Sequence, residues 1–127
     1  MNIIISSKKG NGFLDFFKSF KYAIQGILSA LKVERNMKIH IFAMIIVIIC
    51  GIIFKINKIE WFICFILFAG VISTELINTA IENTVDLITQ EKNPKAKIAK
   101  DIAAGAVLIW AIFATIIGGM IFIPKMF

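Results

Sequence analysis

Apolar residues in this chain gather into long blocks separated by short polar turns. The first block covers residues 39–54, with His40 near its start. The second covers 61–72 and runs on into the segment STELINTAIENTVD at 73–86, and the third covers 102–123. Only the third is an uncharged stretch longer than the roughly 20 residues needed to cross about 30 Å of hydrocarbon. The second is short if it stops at Glu75. It becomes long enough if the helix starts near Glu60 and runs to Ile88, so that its last turns leave the bilayer carrying acids. The pattern predicts an all-α membrane protein with spans over about 36–54, 60–88 and 98–122.

Ahead of the spans, Phe13, Phe16, Phe17, Phe20, Ile24, Ile27, Leu28 and Leu31 recur at helical spacing, whereas Asp15, Lys18, Ser19 and Lys21 lie elsewhere. This predicts an amphipathic helix over about 13–31. Basic residues beside a Phe-rich face fit a helix lying in the membrane interface. Packing of that face against the bundle is the alternative, and the two are compatible. The first span is expected to begin as a polar helix around Leu31 and to pass Glu34, Arg35 and Asn36 before entering the bilayer near Ile39. The start, MNIIISSKKGNG, turns polar after three isoleucines and lacks the form of a cleavable signal. Gly10 and Gly12 make it a flexible lead-in.

Composition strengthens the membrane reading. The 127 residues are 59% hydrophobic and 17% charged, with a mean hydropathy of +0.89, where a soluble domain is nearer a quarter charged. Reading the blocks as buried helices of a soluble domain fails on size, because so short a chain lacks the polar helix surface to enclose them. The net charge of +6 raises nucleic acid as a partner. The lysines flank spans and are not interleaved with exposed aromatics, so anionic lipid headgroups are the simpler partner. Lys8, Lys9, Lys18, Lys21, Lys32, Arg35 and Lys38 precede the first span, and Lys92, Lys95, Lys97 and Lys100 separate the second from the third. Only Lys55 and Lys58 lie in the first turn, and only Lys125 follows the third span. The positive-inside bias then predicts a cytoplasmic N-terminus and 89–101 loop, with the 55–60 turn and the C-terminus outside. Cys50 and Cys64 fall inside spans without metal-ligand spacing and read as buried apolar side chains.

The chemistry lies in the second span. Glu75, Asn78, Thr79, Glu82 and Asp86 recur every three or four residues and so share one helix face. Carboxylates entering a membrane are costly and mark function. Glu75 and Glu82 stand about 10 Å apart along the axis, which lets one sit deep near a lipid hydroxyl while the other reaches a metal and phosphates nearer water. Salt bridges to Lys or Arg are the competing account of these acids. Beyond Pro94, Lys95, Lys97 and Lys100 offer charge to phosphates, and Asp101 suits a metal or a neighbouring ammonium. For Lys95 and Lys97 the positive-inside role is the simpler one. For His40, a hydrogen bond to backbone or a neighbouring side chain is a simpler expectation than catalysis. Small residues at 103–106 and at Gly118–Gly119 predict close helix approach. No phosphate-loop or dinucleotide fingerprint is present. Phosphotransfer needs mainly positioning and charge neutralisation, so the residue pattern leaves a phosphotransferase and a proton-coupled transporter subunit both open.

The strings ERN at 34–36, ELINTAIENTVDLI at 75–88 and AKDIAAGAVLI at 99–109, in that order and separation, resemble the prokaryotic diacylglycerol kinase family over about residues 13–125. FFKSF at 16–20, His40 after ERN, NTAIENTVDLIT and the terminal IPK at 123–125 are similar to its Gram-positive branch, which phosphorylates undecaprenol. The resemblance implies one lipid-kinase domain over the whole chain, three spans behind a surface helix, and a homotrimer in the bacterial cytoplasmic membrane with active sites between subunits. It implies ATP as donor, Mg2+ as cofactor and a lipid alcohol as acceptor: undecaprenol, or else diacylglycerol. A non-catalytic assembly or regulatory subunit is the remote alternative. By the same resemblance Glu75 is the general base, Asn78 orients the site, Glu34 and Glu82 hold magnesium with the ATP phosphates, and Asp86, Lys100 and Asp101 surround the nucleotide. Gram-negative members carry an arginine near the start of the surface helix. Here that place falls near Asp15, so Lys18 or Lys21 would serve only as a point charge.

Overall fold

The computed structural model describes residues 12–127, and these form four helices: α1 (Gly12–Val33), α2 (Arg35–Ile53), α3 (Lys58–Ile88) and α4 (Pro94–Met126). The expected flexible lead-in, with Lys8 and Lys9, lies outside the described residues. The chain divides into two units, 1–33 and 34–127. In the first, α1 carries edge-to-face ring pairs between Phe13 and Phe17 at 4.8 Å and between Phe16 and Phe20 at 5.0 Å. Lys18 is exposed on this helix.

The second unit holds three helices long and apolar enough to cross a membrane. At 1.5 Å per residue, α2 is about 28 Å long, whereas α3 and α4 reach about 46 and 50 Å, so both can carry polar turns beyond a 30 Å slab. Local chemistry sets their ends. The Asn57 side chain accepts from the Glu60 N–H at 2.9 Å while Glu60 accepts from the Asn57 N–H at 3.0 Å, a reciprocal cap that starts α3. Asn93 accepts from the Lys95 and Ala96 N–H groups at 2.9 and 3.3 Å, and Pro94 occupies the first turn of α4, where its missing N–H costs nothing. Helix α2 closes on Lys55 in the left-handed region (φ 53°), with the Ile56 N–H donating to the Gly51 carbonyl at 3.1 Å.

Two expectations need correction. The chain does not pass helically from Leu31 through Glu34: Glu34 is extended (φ −92°, ψ 120°) and caps α2, its carbonyl accepting from the Lys38 N–H at 3.4 Å. The β-branched Val33 before it is a poor helix former, and the polar pattern continues across the break, so periodicity does not reveal it. Within the chain, the close-approach glycines are also not those at 105 and 118, where an added Cβ meets nothing within 4 Å. They are Gly51, where a Cβ would lie 2.7 Å from the Trp61 ring, and Gly70, which the Trp110 ring covers directly. The reason is that each of these glycines faces an indole ring, which leaves no room for a side chain.

Helix α3 packs mainly along α4 and more lightly along α2. Ile56, Cys64 and Ile121 form a core cluster near the 54–57 turn, flanked by Val47, Trp61, Phe68 and Phe122, and beside it Lys125 reaches Glu60 at 3.2 Å. Cys64 is buried. At the opposite end Lys100 meets Asp86 at 2.6 Å. The start of α2, the end of α3 and the start of α4 therefore share one end of this unit. Much of the outer surface is large and apolar, including Phe42, Ile52, Ile66, Ile102 and Phe113, as a lipid-facing surface requires.

Candidate active site

Polar side chains within a span must find partners inside the protein. Thr74, Thr84 and Thr115 do so by donating to carbonyls four residues back, at 2.7, 2.7 and 2.8 Å. The stripe on α3 behaves differently. Glu75, Asn78 and Thr79 are its buried members, and Glu75 Oε1, Asn78 Oδ1 and Thr79 Oγ1 have no hydrogen-bond partner among the described residues. Each such group costs about 1–3 kcal/mol if left bare. Three on adjacent turns of one face make a site built to receive something polar.

Glu75 is 1% exposed. Its Oε2 lies 3.4 Å from His40 Nε2, across from α2. Around this pair opens a pocket of about 250 Å³, walled by Asn36, Ile39 and His40 from α2, Asn78 from α3, and Ala104 and Leu108 from α4. His40 and Ala111 also border a second cavity of about 350 Å³, in which Met44, Leu67, Val71, Ala114 and Gly118 supply an apolar lining that continues to Phe122. The two share His40 and Ala111 and so adjoin; taken together as a groove, one part holds Glu75 and Asn78 and the other is apolar.

Toward the helix ends, the Asn78 amide donates to Glu82 Oε1 at 3.2 Å. Glu34 precedes His40 by about 9 Å of rise and Glu82 follows Glu75 by about 10 Å, and α2 and α3 run antiparallel, so the two glutamates stand at one level. The Glu34 side chain makes no capping hydrogen bond. No three His, Cys, Asp or Glu side chains cluster among the described residues. This donor set fits Mg2+, a hard cation that takes one or two carboxylates together with substrate phosphates and water; it does not fit a metal needing an all-protein cage.

Asp86 and Lys100, with Lys97 and Asp101, line a larger pocket of about 710 Å³ formed with the 89–93 loop. Asp86 is paired with Lys100, which is the salt-bridge account of an acid on this stripe, and Asp101 takes Lys97 at 2.5 Å. Both pairs are exposed, and exposed pairs are worth at most about 1 kcal/mol. The positive end of α4 faces this pocket. Of the residues singled out in the sequence, Glu75, Asn78 and Glu82 come together along α3, and Asp86, Lys100 and Asp101 come together one to two turns farther on. Lys18 belongs to the other unit. His40 meets a neighbouring side chain, as its place in the span led one to expect, and that side chain is Glu75.

Residues 21–122 match the family model for prokaryotic diacylglycerol kinase. The chain belongs to that family. Undecaprenol kinase of Bacillus subtilis is 51% identical over 111 residues, covering 87% of this chain and 90% of that protein. Diacylglycerol kinase of Synechocystis is 40% identical over 109 residues (85% of this chain, 62% of that protein), and diacylglycerol kinase of Helicobacter pylori 35% over 112 residues (87% of each). Membership in the prokaryotic diacylglycerol kinase family makes this a membrane-embedded lipid kinase by kinship and implies ATP as donor and Mg2+ as metal.

Proposed function

We propose that the protein transfers the γ-phosphoryl group of ATP to the hydroxyl of undecaprenol. The observation that carries this reading is Glu75 Oε1, a buried and unpartnered carboxylate oxygen in the polar end of an otherwise apolar groove. Glu75 accepts the hydroxyl proton there as the alcohol oxygen bonds to the γ-phosphorus, and the bond from that phosphorus to ADP breaks. Asn78, which lines the same pocket, steadies Glu82 through its amide. Glu34 and Glu82 would hold the metal, which would supply charge neutralisation to the ATP phosphates. Asp86, Lys100 and Asp101 border the nucleotide. The groove past His40 takes the hydrocarbon chain of the acceptor, whose polyprenyl identity is favoured by the greater identity to an undecaprenol kinase than to the diacylglycerol kinases.

The composite site is completed in a homotrimer embedded in the bacterial cytoplasmic membrane, with the N-terminus and the 89–93 loop on the ATP side and α1 lying in the interface. The test is transfer of labelled phosphate from ATP to undecaprenol and to diacylglycerol, presented in the same mixed micelles. Undecaprenol is expected to be the better acceptor by kcat/KM. Preference for diacylglycerol would replace the acceptor, and labelling of neither lipid would end the kinase reading.

A further inference from the structure

We propose that His40 is a positioning residue for Glu75, holding Oε2 so that Oε1 is the oxygen presented to the acceptor hydroxyl. The proposal rests on the kinase reading above and adds a residue to it. Its first support is geometric: imidazole Nε2 stands 3.4 Å from Oε2, whereas Oε1 is buried with no partner among the described residues. A carboxylate has two equivalent oxygens and rotates freely about its last bond unless one of them is held. A base that must meet a hydroxyl at hydrogen-bond distance gains from having that rotation stopped.

The second support is location. His40 borders both the polar pocket and the apolar cavity, so it stands where a lipid's hydroxyl gives way to its chain. The third is that the contact crosses from α2 to α3, two helices that pack only lightly on each other. One side chain thus fixes the carboxylate relative to the groove wall opposite. A purely structural role, in which the imidazole only offsets a buried carboxylate, would act on stability without separating one kinetic constant from another.

The experiment uses the full chain in lipid micelles, comparing wild type with His40→Leu and His40→Gln for kcat, the KM of each substrate and thermal unfolding. Leucine removes the hydrogen-bond donor with little change in bulk, while glutamine restores an N–H near the same place. His40→Leu is expected to lower kcat at least about tenfold, with the KM for Mg-ATP within about twofold of wild type. His40→Gln is expected to recover kcat to within about threefold. A His40→Leu chain as active as wild type overturns the proposal, as does a His40→Gln chain as impaired as His40→Leu, because then a held oxygen is not what matters. An equal fall in unfolding temperature and activity in both variants likewise overturns it in favour of a structural role. If the wild-type chain itself transfers no phosphate, the kinase reading has failed; an active wild type with an indifferent His40 overturns this proposal alone.

Discussion

A carboxylate 1% exposed within a span is retained against a desolvation cost that an apolar residue would avoid. Its neighbours explain part of the retention, since His40 meets one of its oxygens and the residue lines a pocket. At the same scale, Glu34 and Glu82 are expected to act as a pair on the metal. Replacing either by Gln should raise the free Mg2+ needed for half-maximal rate by at least about tenfold while changing the KM for lipid less. Titration of rate against free Mg2+ checks this, and an unchanged requirement in both variants removes the pair from the metal site. The stripe from Glu75 to Asp86 was legible in the sequence because a helix face follows directly from spacing. The His40–Glu75 contact was not, because the register between two helices is set by packing and leaves no local trace. The pairing of Asp86 with Lys100, a contact between α3 and α4, was hidden for the same reason.

The spans were readable from the lengths of their apolar blocks, since a bilayer imposes those lengths. Which glycines allow close packing was not readable, because it depends on the ring each one faces. Gly70→Leu should drive a side chain into the Trp110 ring and lower stability by about 1–3 kcal/mol, seen as a reduced unfolding temperature. Gly105→Leu makes the contrasting case. Its Cβ meets nothing in the chain, so the helix pair should survive the change. If α4 meets a second subunit there, the same change should lower trimer yield in cross-linking and activity with it. Intact trimers with normal activity would take Gly105 out of the subunit interface.

For the whole molecule, the alternation of helices puts the 54–57 turn and the C-terminus at one end and the 89–93 loop at the other. On the proposed topology, which rests on the lysine bias, the second end faces the cytoplasm. Single cysteines at Asn93 and Asn57, introduced after Cys50→Ala and Cys64→Ala, are expected to label from the cytoplasmic and external faces respectively. Labelling of Asn93 from outside alone would reverse the topology and separate the site from ATP. The central claim, that the buried Glu75 is the base for phosphoryl transfer to a lipid alcohol, is tested most directly by Glu75→Gln in the labelled-ATP assay with Mg-ATP binding measured alongside. The account predicts a loss of at least about 100-fold in turnover with Mg-ATP binding and assembly preserved. Retention of more than about a tenth of wild-type turnover would contradict it.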